Sequence, residues 1–215
     1  MIIAIDGPSG AGKSSVANDV AKKLGFSCLD TGAMFRAIAW KAVRKNINLS
    51  DEDGLEQIAI HDKIAFVHDN NPRYKDIYID DDKITDEIRT PEIDRAVTPV
   101  CKHAKVRKAL LEQQREIANS GNYVVDGRDI GTVVFPNAEL KIFLTADVEE
   151  RANRRFLQNN KEQDYDYILE DLKRRDYEDS HREVAPLKAA DDAIILDSTN
   201  MTQEEVVEKI CNLVN

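Results

Sequence analysis

The chain has 215 residues, 42% of them hydrophobic, enough to bury a substantial core in one large domain or one domain with an insertion. Its formal charge of −10 excludes a global basic footprint for a nucleic acid polymer, so any phosphate-binding cations must be concentrated locally. No apolar run reaches the roughly 18 residues of a membrane span, and Cys28, Cys101 and Cys211 are too widely spaced to suggest a metal site or a disulfide set.

The first predicted element is a short buried strand, Ile2-Ile3-Ala4-Ile5. The chain enters it almost at once, which leaves no room for a signal peptide, so a cytoplasmic location with reduced thiols is expected. Gly7-Pro8-Ser9-Gly10-Ala11-Gly12-Lys13-Ser14 follows and fits the phosphate-binding pattern G-x-x-x-x-G-K-[ST]. Residues 13–24 then carry apolar side chains at 16, 17, 20, 21 and 24, one face of a helix. A strand before and a helix after are the setting this pattern requires, and a chance glycine-rich turn would lack it. The glycines let the backbone wrap phosphate oxygens, and the loop amides and helix N-terminus face the anion. The nucleotide-phosphate contacts expected are Gly7, Pro8, Ser9, Gly10, Ala11, Gly12, Lys13, Ser14 and Ser15. Lys13 reaches the β/γ-phosphates, and Ser14 ligates Mg²⁺, partly through water.

Ser27-Cys28-Leu29 reads as a weaker strand, and residues 32–45 as a helix. Roughly 62–97 breaks the pattern. Lys63–His68 and Asp76–Asp80 look like strands with a polar turn between them, and Asp80-Asp81-Asp82-Lys83 makes another turn. Short strands joined by turns predict an antiparallel sheet, here a small inserted subdomain. The triple aspartate lacks the Gly and distal Glu of a calcium loop and reads as a solvated hairpin turn. Thr90-Pro91 restarts a helix, with Thr as N-cap and Pro at the first helical position.

Helical patterns near 103–119, 147–158, 165–179 and 202–213 alternate with apolar runs at 123–126, 140–144 and 193–196, which look like strands buried on both faces. Thr202-x-x-Glu205 is a capping box. The expected fold is α/β: a P-loop core with a five-stranded parallel sheet and an inserted antiparallel β subdomain.

Beyond the loop, arginines and carboxylates recur at strand ends, where ligand crevices of open parallel sheets lie. Asp30-Thr31-Gly32-Ala33-Met34-Phe35-Arg36 follows the second strand. The next core strand ends in Val124-Val125-Asp126-Gly127-Arg128-Asp129-Ile130-Gly131, and Asp126 occupies the place of the acidic group that orders Mg²⁺ and its waters. A solvated charged turn is the alternative reading of that segment. On a continuous helix Arg175, Asp179 and Arg182 share one face, and by themselves they would pass as a surface ion-pair ladder. Arg151, Arg154 and Arg155 would likewise pass as a solvated helix face; beside a phosphate loop they also suit a mobile lid that clamps polyphosphate.

These pieces resemble the bacterial cytidylate kinase family, the (d)CMP kinases of the nucleoside monophosphate kinase group. The resemblance rests on IDGPSGAGKSS, LDTGAMFRA, KVRKALLEQQR, VVDGRDIGTVVFPNAELKIFL, EERANRR, RRDYEDSHREVAPL and LDST, in the family's order from residue 3 to 199. The DGRDIGTVVFP stretch separates this family from adenylate and shikimate kinases. The resemblance implies a single kinase domain with core residues about 1–61, 98–147 and 164–215, a monophosphate-binding insertion about 62–97, and a short helical lid about 148–163. It implies that Thr31, Arg107 and Asp129 contact the cytosine, that Arg36, Arg128 and Arg182 hold the CMP phosphate, and that Thr98, Arg175 and Asp179 approach the ribose. Arg154 and Arg155 would be lid contacts to ATP. Lys13, Arg128, Arg182 and Asp126 would be the catalytic set.

The implied reaction transfers phosphate from MgATP to CMP or dCMP, giving CDP or dCDP, in a cytoplasmic monomer. The chemistry agrees: a carboxylate accepts from the cytosine amine, whereas uracil would turn a carbonyl toward Asp129. The chain departs from the family's pattern at Phe35, where tyrosine is expected, and at Thr31, where some relatives have serine. The alternative is another small-molecule P-loop kinase acting on UMP or AMP. A nucleotide-dependent switch is disfavoured, since no N-K-x-D segment is present.

Overall fold

The computed structural model describes residues 1–68, 75–158 and 161–214. In chain order the elements are β1 (Ile2–Asp6), α1 (Lys13–Leu24), β2 (Ser27–Asp30), α2 (Thr31–Arg44), α3 (Glu52–His61), β3 (Ile64–His68), β4 (Lys75–Ile79), β5 (Asp82–Lys83), α4 (Pro91–Val100), α5 (Ala104–Ala118), β6 (Tyr123–Gly127), β7 (Leu140–Thr145), α6 (Val148–Gln158), α7 (Tyr165–His181), β8 (Ile194–Asp197) and α8 (Gln203–Asn212). A five-stranded parallel sheet has the order β2-β6-β1-β7-β8, and a three-stranded antiparallel sheet the order β3-β4-β5. The parallel sheet and the separate small sheet are as the sequence predicts.

The chain packs as two compact units, one of Met1–Cys28 with Gly121–Asn215 and one of Leu29–Ser120. In the first, β1 lies between β6 and β7, with Asp6 in register with Gly127 and with Phe143. Ile3, Ile5, Ile142 and Leu144 pack with Val16, Ala17 and Val20 of α1 and with Val206 and Ile210 of α8. The i, i+4 stripe of α1 therefore seals the strands that hold the phosphate loop, and the Thr202–Glu205 capping box starts α8 as expected. In the second unit, α2 buries Met34 and Ile38, and Leu55, Ile77, Ile79, Ile88, Ile93 and Leu110 complete the core. Lys41 of α2 pairs with Asp80 at 2.9 Å, so the acidic turn is held by a lysine rather than fully solvated.

Several elements differ from the sequence reading. β8 is an edge strand with Ile194 and Ile195 exposed, not a strand buried on both faces; a four-residue apolar run cannot say how many neighbours it has. α3 has no counterpart in the sequence reading, although Asp51 caps it by accepting from the Gly54 amide. Asp82–Lys83 pairs with β4, leaving Asp80-Asp81 as the turn. Residues Ile130–Val134 form a π-helix, a rare form that propensity does not reveal. α7 ends at His181, so Arg182 is its extended C-cap and does not continue the helical face of Arg175 and Asp179. The predicted turn between the first two insertion strands lies at residues 69–74, outside the described residues.

Two glycines of the phosphate loop have different reasons to be glycine. Gly7 sits at φ 152°, and a Cβ there would stand 1.9 Å from the Leu144 carbonyl oxygen of β7. Gly12 sits at φ 85°, and a Cβ there would meet nothing within 4 Å. Gly12→Ala is therefore expected to cost only the left-handed backbone penalty, about 1–2 kcal/mol. Gly7→Ala adds a collision with rigid backbone and should cost about 3 kcal/mol or more. Urea unfolding of the two variants checks this; equal losses would remove the close approach as the reason for Gly7.

Candidate active site

The phosphate loop follows β1, and Asp126–Asp129 spans the end of the adjacent parallel strand β6, so strand pairing alone brings the two segments to the same end of the sheet. Lys13 is the first residue of α1 and is buried at 6% exposure. Its Nζ spans the loop and donates to the Pro8 carbonyl at 2.6 Å. Ser14 Oγ donates to Asp126 Oδ2 at 2.7 Å. Ser14 and Asp126 thus place a hydroxyl and a carboxylate side by side at the mouth of the loop. Hard oxygen donors of this kind fit Mg²⁺, which takes few protein ligands and relies on substrate phosphates and water for the rest. No group of three or more His, Cys, Asp or Glu side chains among the described residues forms a metal cage.

Burial, and next the Arg128 guanidinium, pull Lys13 down to about 7, against the pull of Asp126, Asp179 and Asp6. Asp6 ends β1. Its carboxylate accepts from the Ile130 and Gly131 amides, each at 2.7 Å. Burial nonetheless pushes its pKa up to about 6. These bonds anchor the π-helix that begins immediately after Asp129. Sequence reasoning missed Asp6. The available signal was a carboxylate closing an otherwise apolar strand, directly before the first loop glycine.

Four predicted residues converge in this unit. Arg128 Nε meets Asp179 Oδ2 at 2.7 Å. Arg182 Nη2 lies 3.3 Å from Asp129 Oδ1, and Arg182 Nη1 lies 3.8 Å from Asp179 Oδ1. Two guanidiniums and two carboxylates therefore alternate beside the Lys13 loop, with Arg182 and Asp129 largely buried. Arg175 instead pairs with Asp171 at 2.8 Å on its own helix. The surface ladder belongs to Arg174, which bridges Asp171 and Glu178. Arg154 is tied to Glu150 and to Ser198, whose carbonyl accepts from Nη2 at 2.6 Å. Arg155 is half-buried on α6. Arg151 is not part of a solvated helix face: it is buried, and it donates to the Ser9 carbonyl at 2.7 Å.

In the second unit, Thr31 opens α2 next to its cap Asp30, which accepts from the Ala33 amide. Arg36 pairs with Asp94 at 2.6 Å and donates to the Ile88 carbonyl. Thr98 is half-buried in α4. Arg107 lies 5.2 Å from the centroid of the Phe35 ring and donates to the Cys101 carbonyl. Phe35 thus serves as a cation–π platform for an arginine, a role that needs no hydroxyl.

The sequence matches the profile of one family, cytidylate kinase, over residues 3–215. The chain belongs to the cytidylate kinase family. It is 47% identical over 212 residues to the cytidylate kinase of Pseudomonas paraeruginosa strain PA7, covering 97% of this chain and 93% of that protein. It is 46% identical over 215 residues to that of Enterococcus faecalis strain V583, covering 99% and 94%. Among solved structures, shikimate kinase from Bacteroides thetaiotaomicron aligns over 100% of this chain and 98% of that one, at TM-score 0.51 and 11% identity, a likeness of fold only.

For a cytidylate kinase family member, the buried Lys13 has a consequence in solution. Its folded pKa of about 7 lies below the ordinary 10.5, so the unfolded chain binds more protons between those values. Its contribution to stability therefore rises with pH across that window. A polyphosphate held against Lys13 would favour its charged form. Binding of MgATP at about pH 8 should then take up a substantial fraction of one proton. Calorimetry in buffers of differing ionisation enthalpy measures this, and binding heats independent of buffer would contradict a largely neutral Lys13.

Proposed function

We propose that this protein is a kinase that transfers the γ-phosphoryl group of ATP to CMP or dCMP, giving CDP or dCDP. The observation that carries this reading is the juxtaposition of a buried P-loop lysine with the Arg128–Asp179–Arg182–Asp129 cluster. Family membership supports it. The acceptor is already a phosphate oxygen, so no strong general base is needed, and positioning plus charge neutralisation supply most of the catalysis.

In this proposal the loop amides and Lys13 hold the β/γ-phosphates, with Gly7 to Ser15 as the nucleotide-binding segment. Ser14 and Asp126 hold Mg²⁺, directly or through water. When bound there, the ion would offset the negative charge of the phosphates. Arg128 and Arg182, with Arg36, grip the acceptor phosphate; their carboxylate partners Asp179, Asp129 and Asp94 hold the guanidiniums in place until then. Asp129, Thr31 and Arg107 read the cytosine, and Thr98, Arg175 and Asp179 approach the ribose. Arg154 and Arg155 serve the ATP side.

The same reading divides one kinase domain into a core of about 1–61, 98–147 and 164–215, a monophosphate insertion of about 62–97 and a lid of about 148–163. Residues 159–160 of that lid lie outside the described residues. Among the described residues no helix is long and apolar enough to cross a membrane. Cys28, Cys101 and Cys211 are in no disulfide, which suits a reducing cytoplasm, where we place the enzyme as a monomer.

A coupled ADP-release assay with ATP and a panel of CMP, dCMP, UMP and AMP tests the reading. CMP and dCMP should dominate kcat/KM; a preference for UMP or AMP would move the assignment to another monophosphate kinase. Two variants test the residue roles. Asp129→Asn should lower the CMP/UMP ratio of kcat/KM by about 10-fold or more, because an amide can present a donor to uracil. An unchanged ratio would take Asp129 off the base edge. Arg128→Lys should lose about 10²-fold in kcat/KM for CMP, since ammonium lacks the planar fork that meets phosphate. Full activity would reduce Arg128 to general electrostatics.

A further inference from the structure

We propose that Arg151 and Asp176 form a positioning pair that fixes the phosphate loop for ATP, a role resting on the kinase reading above. Arg151, on α6, is 5% exposed and uses every face of its guanidinium. Nε donates to the Ala146 carbonyl at 2.9 Å, Nη1 to the Ser9 carbonyl at 2.7 Å, and Nη2 to Asp176 Oδ2 at 2.6 Å. The other oxygen of Asp176 accepts from the Ser9 amide at 3.4 Å. Both backbone polar groups of Ser9, in the middle of the loop, therefore end on this one ion pair. A second close approach supports the grip: a Cβ at Gly10 would stand 3.4 Å from Arg151 Cβ and from Leu172 of α7.

The pair does more than close a surface. A rigid planar fork bonded at three points fixes direction as well as distance. α6 and α7 are locked together by Ala152, Phe156, Ile168 and Leu172, so the fork is mounted on a packed base. One turn beyond Asp176, α7 presents Asp179, which holds Arg128. The same helix thus grips the ATP loop at one turn and a proposed acceptor arginine at the next. Neither Arg151 nor Asp176 belongs to the residues assigned to ATP or CMP contact.

The test is direct titration of MgATP without acceptor, beside steady-state kinetics. Asp176→Asn and Arg151→Lys, checked for fold by circular dichroism, should each raise the Kd for MgATP by about 10-fold and lower kcat, while KM for CMP moves by less than about 2-fold. Because the two residues act as a unit, the double variant should be no worse than the weaker single. Unchanged MgATP binding in folded Asp176→Asn, additive losses, or equal shifts in both substrates would overturn the proposal. If neither single variant folds, the pair is a folding contact and the proposal fails. If the wild type does not phosphorylate CMP, the kinase assignment falls while the titration still decides the role of the pair.

Discussion

A lysine buried next to an arginine, its charge opposed by both, is the constraint around which this site is arranged. Lys13 has left water, and desolvation opposes its charge. Arg128 adds repulsion. Asp126, Asp179 and Asp6 offset part of it, each from a different element: β6, α7 and β1. The parallel order that sets β1 beside β6 is thus also an electrostatic requirement, since it puts Asp126 in register with Ile5 at the root of the loop. In the proposed role, a phosphate chain held by the loop would add further negative charge beside Lys13 and favour its ionised form.

The second layer is built from pairs that hold cations in position without leaving them alone. Arg128 rests on Asp179, Arg182 on Asp129 and Arg36 on Asp94. Half-buried or buried guanidiniums with no partner would be costly, and with carboxylates they are preorganised. If these arginines hold the acceptor phosphate as proposed, that phosphate would compete with their carboxylates rather than with bulk water.

Much of this was legible in the sequence, because the signals were local. Gly7–Ser14 with a strand before and an amphipathic helix after, Thr202 with Glu205, and Thr90-Pro91 each carry their geometry within a few residues. The four-residue cluster was legible as a set of candidates through family resemblance, but its pairing was not. Arg175 and Asp179 stand one turn apart and still choose different partners, Asp171 and Arg128, because burial and approach from β6 decide. Asp6 escaped notice for a related reason. A single carboxylate at a strand end has no pattern; its meaning comes from two amides more than 120 residues away. Arg151 looked like one of three lid arginines, and only packing of α6 on α7 turns it inward.

The contrast between Arg151 and Arg154 shows how position on one helix assigns function. They sit three residues apart, so their side chains diverge by roughly a sixth of a turn. Arg151 points to the phosphate loop and is fully enclosed, whereas Arg154 faces the segment after β8 and bonds Ser198 while staying partly exposed. Ser198 in turn donates to the Thr145 carbonyl at the end of β7. Each arginine thus ties α6 to a different strand-end loop, one after β1 and one after β8.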